Sequence, residues 1–182
     1  MKTRMFLYAL APVALCEVAL AAATGGVLDV RQTMQAGVNA ATMEIWDVGN
    51  NAMDDAGGID PEQMSPERWA QLETAAQSLK DIALAMHDAD GFIAASPENT
   101  PEEGEPGAVS MADVQRYIDA DPDGFRAAAQ GLADHAGLLV DAAQGRDAKA
   151  AGGLVAQLDQ VCEVCHAQFW YPDQQQNAVA LR

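Results

Sequence analysis

The sequence predicts an all-α fold, an antiparallel four-helix bundle. Three observations carry that reading. Apolar residues recur at steps of three and four through four long segments. Alanine is abundant, whereas aromatic residues make up only 5% of the chain. No stretch alternates apolar with polar residues as a half-buried strand would.

The chain opens with Lys2 and Arg4, an apolar run from Met5 to Cys16, and the small residues Ala19 to Ala23. This is the pattern of a secretory signal over residues 1–23, with cleavage near 21–23. As a retained anchor the run is too short, and Glu17 interrupts it. Cys16 is a poor lipoprotein site, because Leu15 precedes it where a small residue is needed. Export to the periplasm is expected, with no stable membrane insertion after cleavage. Residues 24–182 then suit a single domain.

The first helical segment spans about 27–53, with Val27, Val30, Met34, Val38, Ala41, Ile45 and Val48 on one face. The second spans about 66–89. Ser65 is its N-cap, Pro66 opens its first turn, and Trp69, Leu72, Ala76, Leu79, Ala83 and Met86 form its stripe. Residues 94–109 hold Pro97, Pro101, Pro106 and four glutamates, a composition expected of an extended, mobile crossover loop. Ser110 and Asp113 read as a capping box for a stub helix through Ile118. The third segment spans about 124–144, with Phe125, Ala128, Leu132, Ala136, Leu139 and Ala143 inward and Gly145 as the terminating glycine. The fourth starts at Asp147, an N-cap, and runs to about Trp170 with Leu154, Leu158, Val161, Cys162 and Cys165 on its stripe. The short link between the last two segments makes them antiparallel neighbours.

Residues 162–166 read Cys-Glu-Val-Cys-His. C-x-x-C-H is the attachment signature of a c-type haem. On a helix Cys162 and Cys165 share a face, and His166 lies four residues from Cys162. Cys162 and Cys165 are therefore read as thioether anchors and His166 as the proximal iron ligand. One covalently attached haem c would sit on the last helix. A thioredoxin-type pair would need a βαβ setting. A zinc site would need a fourth ligand and an awkward tetrahedron from adjacent Cys165 and His166. His87 and His135 are isolated in sequence, His87 at a helix end and His135 on a helix face. With the leader removed, the haem consumes both remaining cysteines and no disulfide is expected.

The formal charge is −17, and losing two cations and one anion with residues 1–23 takes it to −18. Nucleic acid and anionic membrane surfaces are thereby disfavoured as partners. The acidity serves solubility, or docking to a redox protein with a basic surface.

A helical bundle with this motif near its C-terminus resembles the class II cytochromes c: the cytochrome c-prime family and its low-spin, methionine-ligated branch. Class I cytochromes c usually carry the motif near the N-terminus. Val30-Arg31-Gln32, Leu79-Lys80, Phe125 and the run from Val161 to Phe169 carry the resemblance. It implies that Arg31 pairs with a haem propionate. It also implies that the residue facing the open iron position comes from the first helix. Met34 is expected there as the distal ligand, with Met43 ranked second; the family's usual position falls at Gln35. Where such relatives often carry a basic residue, this chain has Trp170, followed by Tyr171 and Pro172. Phe169 and Trp170 are expected over the haem edge, and Trp46 and Trp69 at helix–helix contacts. Homodimers are common among class II bundles.

No Ser-His-Asp set, phosphate loop or second metal cluster is visible, so no enzyme is expected. The expected role is single-electron transfer between redox partners. The alternative is a five-coordinate haem that binds or scavenges nitric oxide or carbon monoxide.

Overall fold

The computed structural model describes residues 26–101 and 109–172. The expected leader lies outside these described residues. Four long antiparallel helical stretches form the bundle, and their ends differ from the sequence reading in instructive ways.

The first stretch begins at Val30. Asp29 is its N-cap, with Oδ1 accepting from Gln32 N at 2.9 Å. Helix α1 (Val30–Thr33), a π-helical turn (Met34–Val38) and α2 (Asn39–Asn51) run on without a break. In the π turn the Asn39 N–H reaches back five residues to the Met34 carbonyl. Val27, expected inside this helix, is exposed and belongs to strand β1 (Val27–Asp29). It pairs in parallel with β2 (Gly91–Ile93), Val27 opposite Gly91 and Asp29 opposite Ile93. The expectation of no strands is corrected here. Three-residue strands are too short to display a period of two.

Helix α3 (Pro66–His87) starts at Ser65, whose Oγ accepts from Arg68 N. Its whole predicted stripe is buried. Helix α4 (Met111–Ala120) is the stub, yet the capping box does not form: the Ser110 side chain makes no cap bond, and Asp113 pairs with Arg116 at 2.6 Å. Helix α5 (Pro122–Gln144) is capped by Asp121, which accepts from Gly124 N. Helix α6 (Ala148–Phe169) is capped by Asp147, which accepts from Ala150 N.

Side-chain contacts fix each neighbouring pair as antiparallel. Gln71 of α3 donates to Glu44 of α2, and Ile82 lies against Gly37. Gln144 of α5 donates to Glu73 of α3, while His87 lies 3.1 Å from the Arg126 carbonyl. His135 of α5 donates from Nε2 to the Leu154 carbonyl of α6 at 2.9 Å. It is buried between two helices, not set on an outer helix face. Gly49 of α2 meets Val155, so α2 and α6 close the square.

The α5–α6 turn is a Schellman motif. Asp147 N bonds to Ala142 O, and Arg146 N to Ala143 O. The left-handed residue is Arg146, at φ 52°, not Gly145, at φ −73°. The expected terminating glycine sits one position too early.

The described part of the crossover is tied to the start of the first helix. Ala94 O accepts from Arg31 N. Asp29 Oδ2 accepts from Ser96 N and Asn99 Nδ2, both at 2.9 Å. Burial opposes ionisation of Asp29, but the hydrogen bonds from Gln32, Asn99 and Ser96 outweigh it and hold the carboxyl well below the usual range. Helix α4 then packs across the end of the bundle against α6 and β2.

Candidate functional site

The last two turns of α6 form one wall of a cavity of about 430 Å³. That volume lies within the usual range of cofactor sites. Cys162, Cys165 and His166 all face it and are half-buried. The period of the facing helix sets the opposite wall. Val30, Met34 and Val38 recur at steps of four, as do Arg31, Gln35 and Asn39. Thr42 and Trp46 continue that wall along α2. Phe125, Ala129 and Leu132 of α5 lie between the two walls, and Val114 and Ile118 of α4 close one end.

Both cysteines are free thiols. Burial, reinforced by Asp159, pushes the Cys162 thiol up. Burial, with Cys162 beside it, pushes Cys165 up to about 11. These are neutral thiols in an apolar wall. A redox dithiol needs the opposite, a thiolate stabilised by its surroundings. Among the described residues no three His, Cys, Asp or Glu side chains converge as a metal-binding group. A thioether sulfur carries no charge and suits such a wall.

His166 is flanked by the rings of Trp170 and Tyr171, with centroids 6.4 and 6.2 Å away. Its carbonyl accepts from both of their N–H groups, at 2.8 and 3.0 Å. The Tyr171 hydroxyl donates to Glu163. That bond to a carboxylate raises the phenol to about 12. The Tyr171–Glu163 pair was missed in the sequence, because eight residues span about 12 Å of helix and the two meet only where the chain leaves α6 after Phe169 and turns back to the His166 carbonyl. Phe169 is buried edge-on against Phe125, with centroids 5.2 Å apart, and Trp170 is half-buried on the cavity wall.

Arg31 lines the cavity, and among the described residues its guanidinium has no hydrogen bond or ion pair. Met34 lines it too, as the first residue of the π turn. Met43 is 55% exposed and lies outside the cavity, which removes the second-ranked ligand. Trp69 is buried as expected, whereas Trp46 is half-buried and borders the cavity. Thr42 was not singled out from the sequence. It is buried, and its Oγ1 has no hydrogen-bond partner among the described residues.

Two uncharged thiols, an imidazole beside them and a guanidinium with no partner among the described residues make a cavity that fits a covalently attached haem. A family model described as Cytochrome C' matches residues 41–170, more than half of the chain. The matched span includes Cys162, Cys165 and His166 and begins after Arg31 and Met34. No curated protein and no solved structure matches the chain at a significant level.

Proposed function

The chain belongs to the cytochrome c′ family, and on that premise we propose that it is a periplasmic c-type haem protein carrying single electrons between redox partners. The leader supports the compartment. Among the described residues no helix is long and apolar enough to cross a membrane.

Haem, once bound, supplies a one-electron couple between ferric and ferrous iron. The remaining work falls to this chain's residues. Cys162 and Cys165 would hold the haem through thioethers, each formed by adding S–H across a vinyl C=C with the hydrogen ending on carbon and no oxidant consumed. His166, its ring flanked by Trp170 and Tyr171, would bind the iron from the α6 side. Arg31 pairs with a propionate. Met34 would hold the iron from the facing wall, where a thioether would favour the reduced state and exclude gases. The observation that carries this reading is the presence of Met34 on the same cavity as His166. The acidic surface would speed encounter with a partner bearing a basic patch. No catalytic step forms part of this function.

The alternative, a five-coordinate gas-binding haem, has one observation in its favour. Gln35, at the family's usual distal position, also lines the cavity. Absorption spectra of the matured protein, with and without carbon monoxide, decide between the two. A low-spin spectrum with a sulfur-to-iron band, indifferent to carbon monoxide, is expected. Met34→Leu should make it high-spin and responsive to carbon monoxide. A high-spin, responsive wild type would replace the electron-carrier reading with the gas-binding one.

A further inference from the structure

Thr42 is only 4% exposed, and its hydroxyl is orphaned beside the cavity. A threonine inside a helix commonly returns its hydroxyl to a carbonyl three or four residues back. That bond is not made here. A buried hydroxyl left unpaired is destabilising, so a partner within the cavity is favoured.

The surroundings select the kind of partner. Asn39 and Trp46 lie three residues before and four after Thr42, on the same helix face, and both line the cavity. Each offers a neutral N–H donor. Asp159, one of the cavity's two carboxylates with Glu163, shares an adjoining pocket with Trp46. It repels an anion such as a haem propionate. Arg31, which would neutralise one, is eleven residues away, roughly 16 Å along the helix. The pocket around Thr42 therefore suits a small neutral molecule that both donates and accepts.

We propose that Thr42 Oγ1 anchors an ordered water inside the haem cavity, and that this water tunes the haem potential. The proposal rests on the haem reading above. A buried water needs two to four polar partners; buried Thr42 supplies one, and half-buried Trp46, one turn further along the same face, can supply a second. Its dipole favours the ferric state, which carries one more positive charge than the ferrous. Removing the water makes the cavity more apolar and raises the midpoint potential.

Thr42→Val tests this with almost no change of shape, since both side chains branch at Cβ. Thr42→Ser keeps the hydroxyl. Haem attachment is checked first by the mass and pyridine haemochrome spectrum of each matured protein. Wild type without attached haem would sink the haem reading itself. With haem attached, Thr42→Val should raise the midpoint potential and lower the thermal midpoint by a few degrees. Thr42→Ser should restore both. An unchanged or lowered potential in Thr42→Val overturns the proposal. So does an unchanged or raised thermal midpoint, the result expected when an unpaired hydroxyl is replaced by a methyl. Should the valine variant fail to mature, a crystal structure of the wild-type haem protein gives the answer. Solvent density at hydrogen-bond distance from Thr42 Oγ1 supports the water; a bond to a propionate or to the Val38 carbonyl overturns it.

Discussion

The two halves of α6 obey different rules. In the first half Ala151, Gly152 and Leu158 are fully buried against other parts of the chain. The fit is close enough that a Cβ at Gly152 would lie 2.7 Å from the Ile59 backbone nitrogen. In the second half Val161, Cys162, Cys165 and His166 are only half-buried, although they continue the same apolar stripe. One helix thus packs onto protein for three turns and onto a cavity for most of the next two, before Phe169 returns to protein against Phe125. A stripe that stays apolar where its protein neighbours withdraw is shaped for a non-protein partner.

The strongest way to break this contrast is to withhold the haem. Cys162→Ser with Cys165→Ser should cost the cavity half at least about 3 kcal/mol of local stability, the scale of losing a tightly bound ligand. Amide hydrogen exchange should rise sharply at 161–169 and much less at 148–158. Equal acceleration in both halves would show that α6 is one cooperative unit.

Gly152→Ala attacks the packed half instead. The added methyl meets backbone rather than a flexible side chain, and overpacking of this kind costs about 1–3 kcal/mol. Urea melts of the haem-loaded variant should show the loss, while the absorption spectrum stays unchanged.

Asp29→Ala releases the clamp behind the cavity wall by removing the acceptor of three N–H groups. A loss of about 1–2 kcal/mol is expected at neutral pH. Burial raises this carboxyl, but its hydrogen bonds depress it further, so its folded pKa lies below the unfolded value. Its contribution is therefore complete above the usual carboxylate range, about pH 4, and disappears as pH falls toward the folded value. Urea melts at pH 7 and pH 3 should show the gap between wild type and variant starting to narrow in acid, with most of it surviving at pH 3.

The smallest effect belongs to the α5–α6 turn. Arg146→Gly relieves a left-handed residue and should raise the thermal midpoint by the equivalent of up to about 1 kcal/mol. It should leave the redox potential alone.

What the sequence made legible follows from the length of each signal. The four long helices repeat their apolar step over five or more turns, and the C-x-x-C-H motif fixes three residues at once. β1 and β2 have three residues each, and they pair across more than sixty positions, so no local pattern betrays them. The π turn leaves composition unchanged. Gly145 invited a local rule that the backbone applied one residue later, at Arg146. Ser110 makes no side-chain cap because its own carbonyl takes the Asp113 N–H, while the Asp113 carboxylate turns to Arg116. His135 and Thr42 look alike in sequence, as polar residues near an apolar face. Only the tertiary contacts distinguish them, giving one the Leu154 carbonyl and the other nothing.

The β1–β2 pair also bears on the order of assembly. The three-residue link lets α5 and α6 meet early, because short loops close fast. β1 must wait for a partner more than sixty residues away, and so must the Asp29 clamp. The wall carrying Arg31 and Met34 is therefore the last to be fastened, after the thiols of α6 are already on display. Such a sequence of events leaves a doorway for a flat, bulky guest and shuts it afterwards. Pulse-labelled hydrogen exchange during refolding would time it, with protection at Leu154 and Leu158 arriving before protection at Arg31 and Gln32.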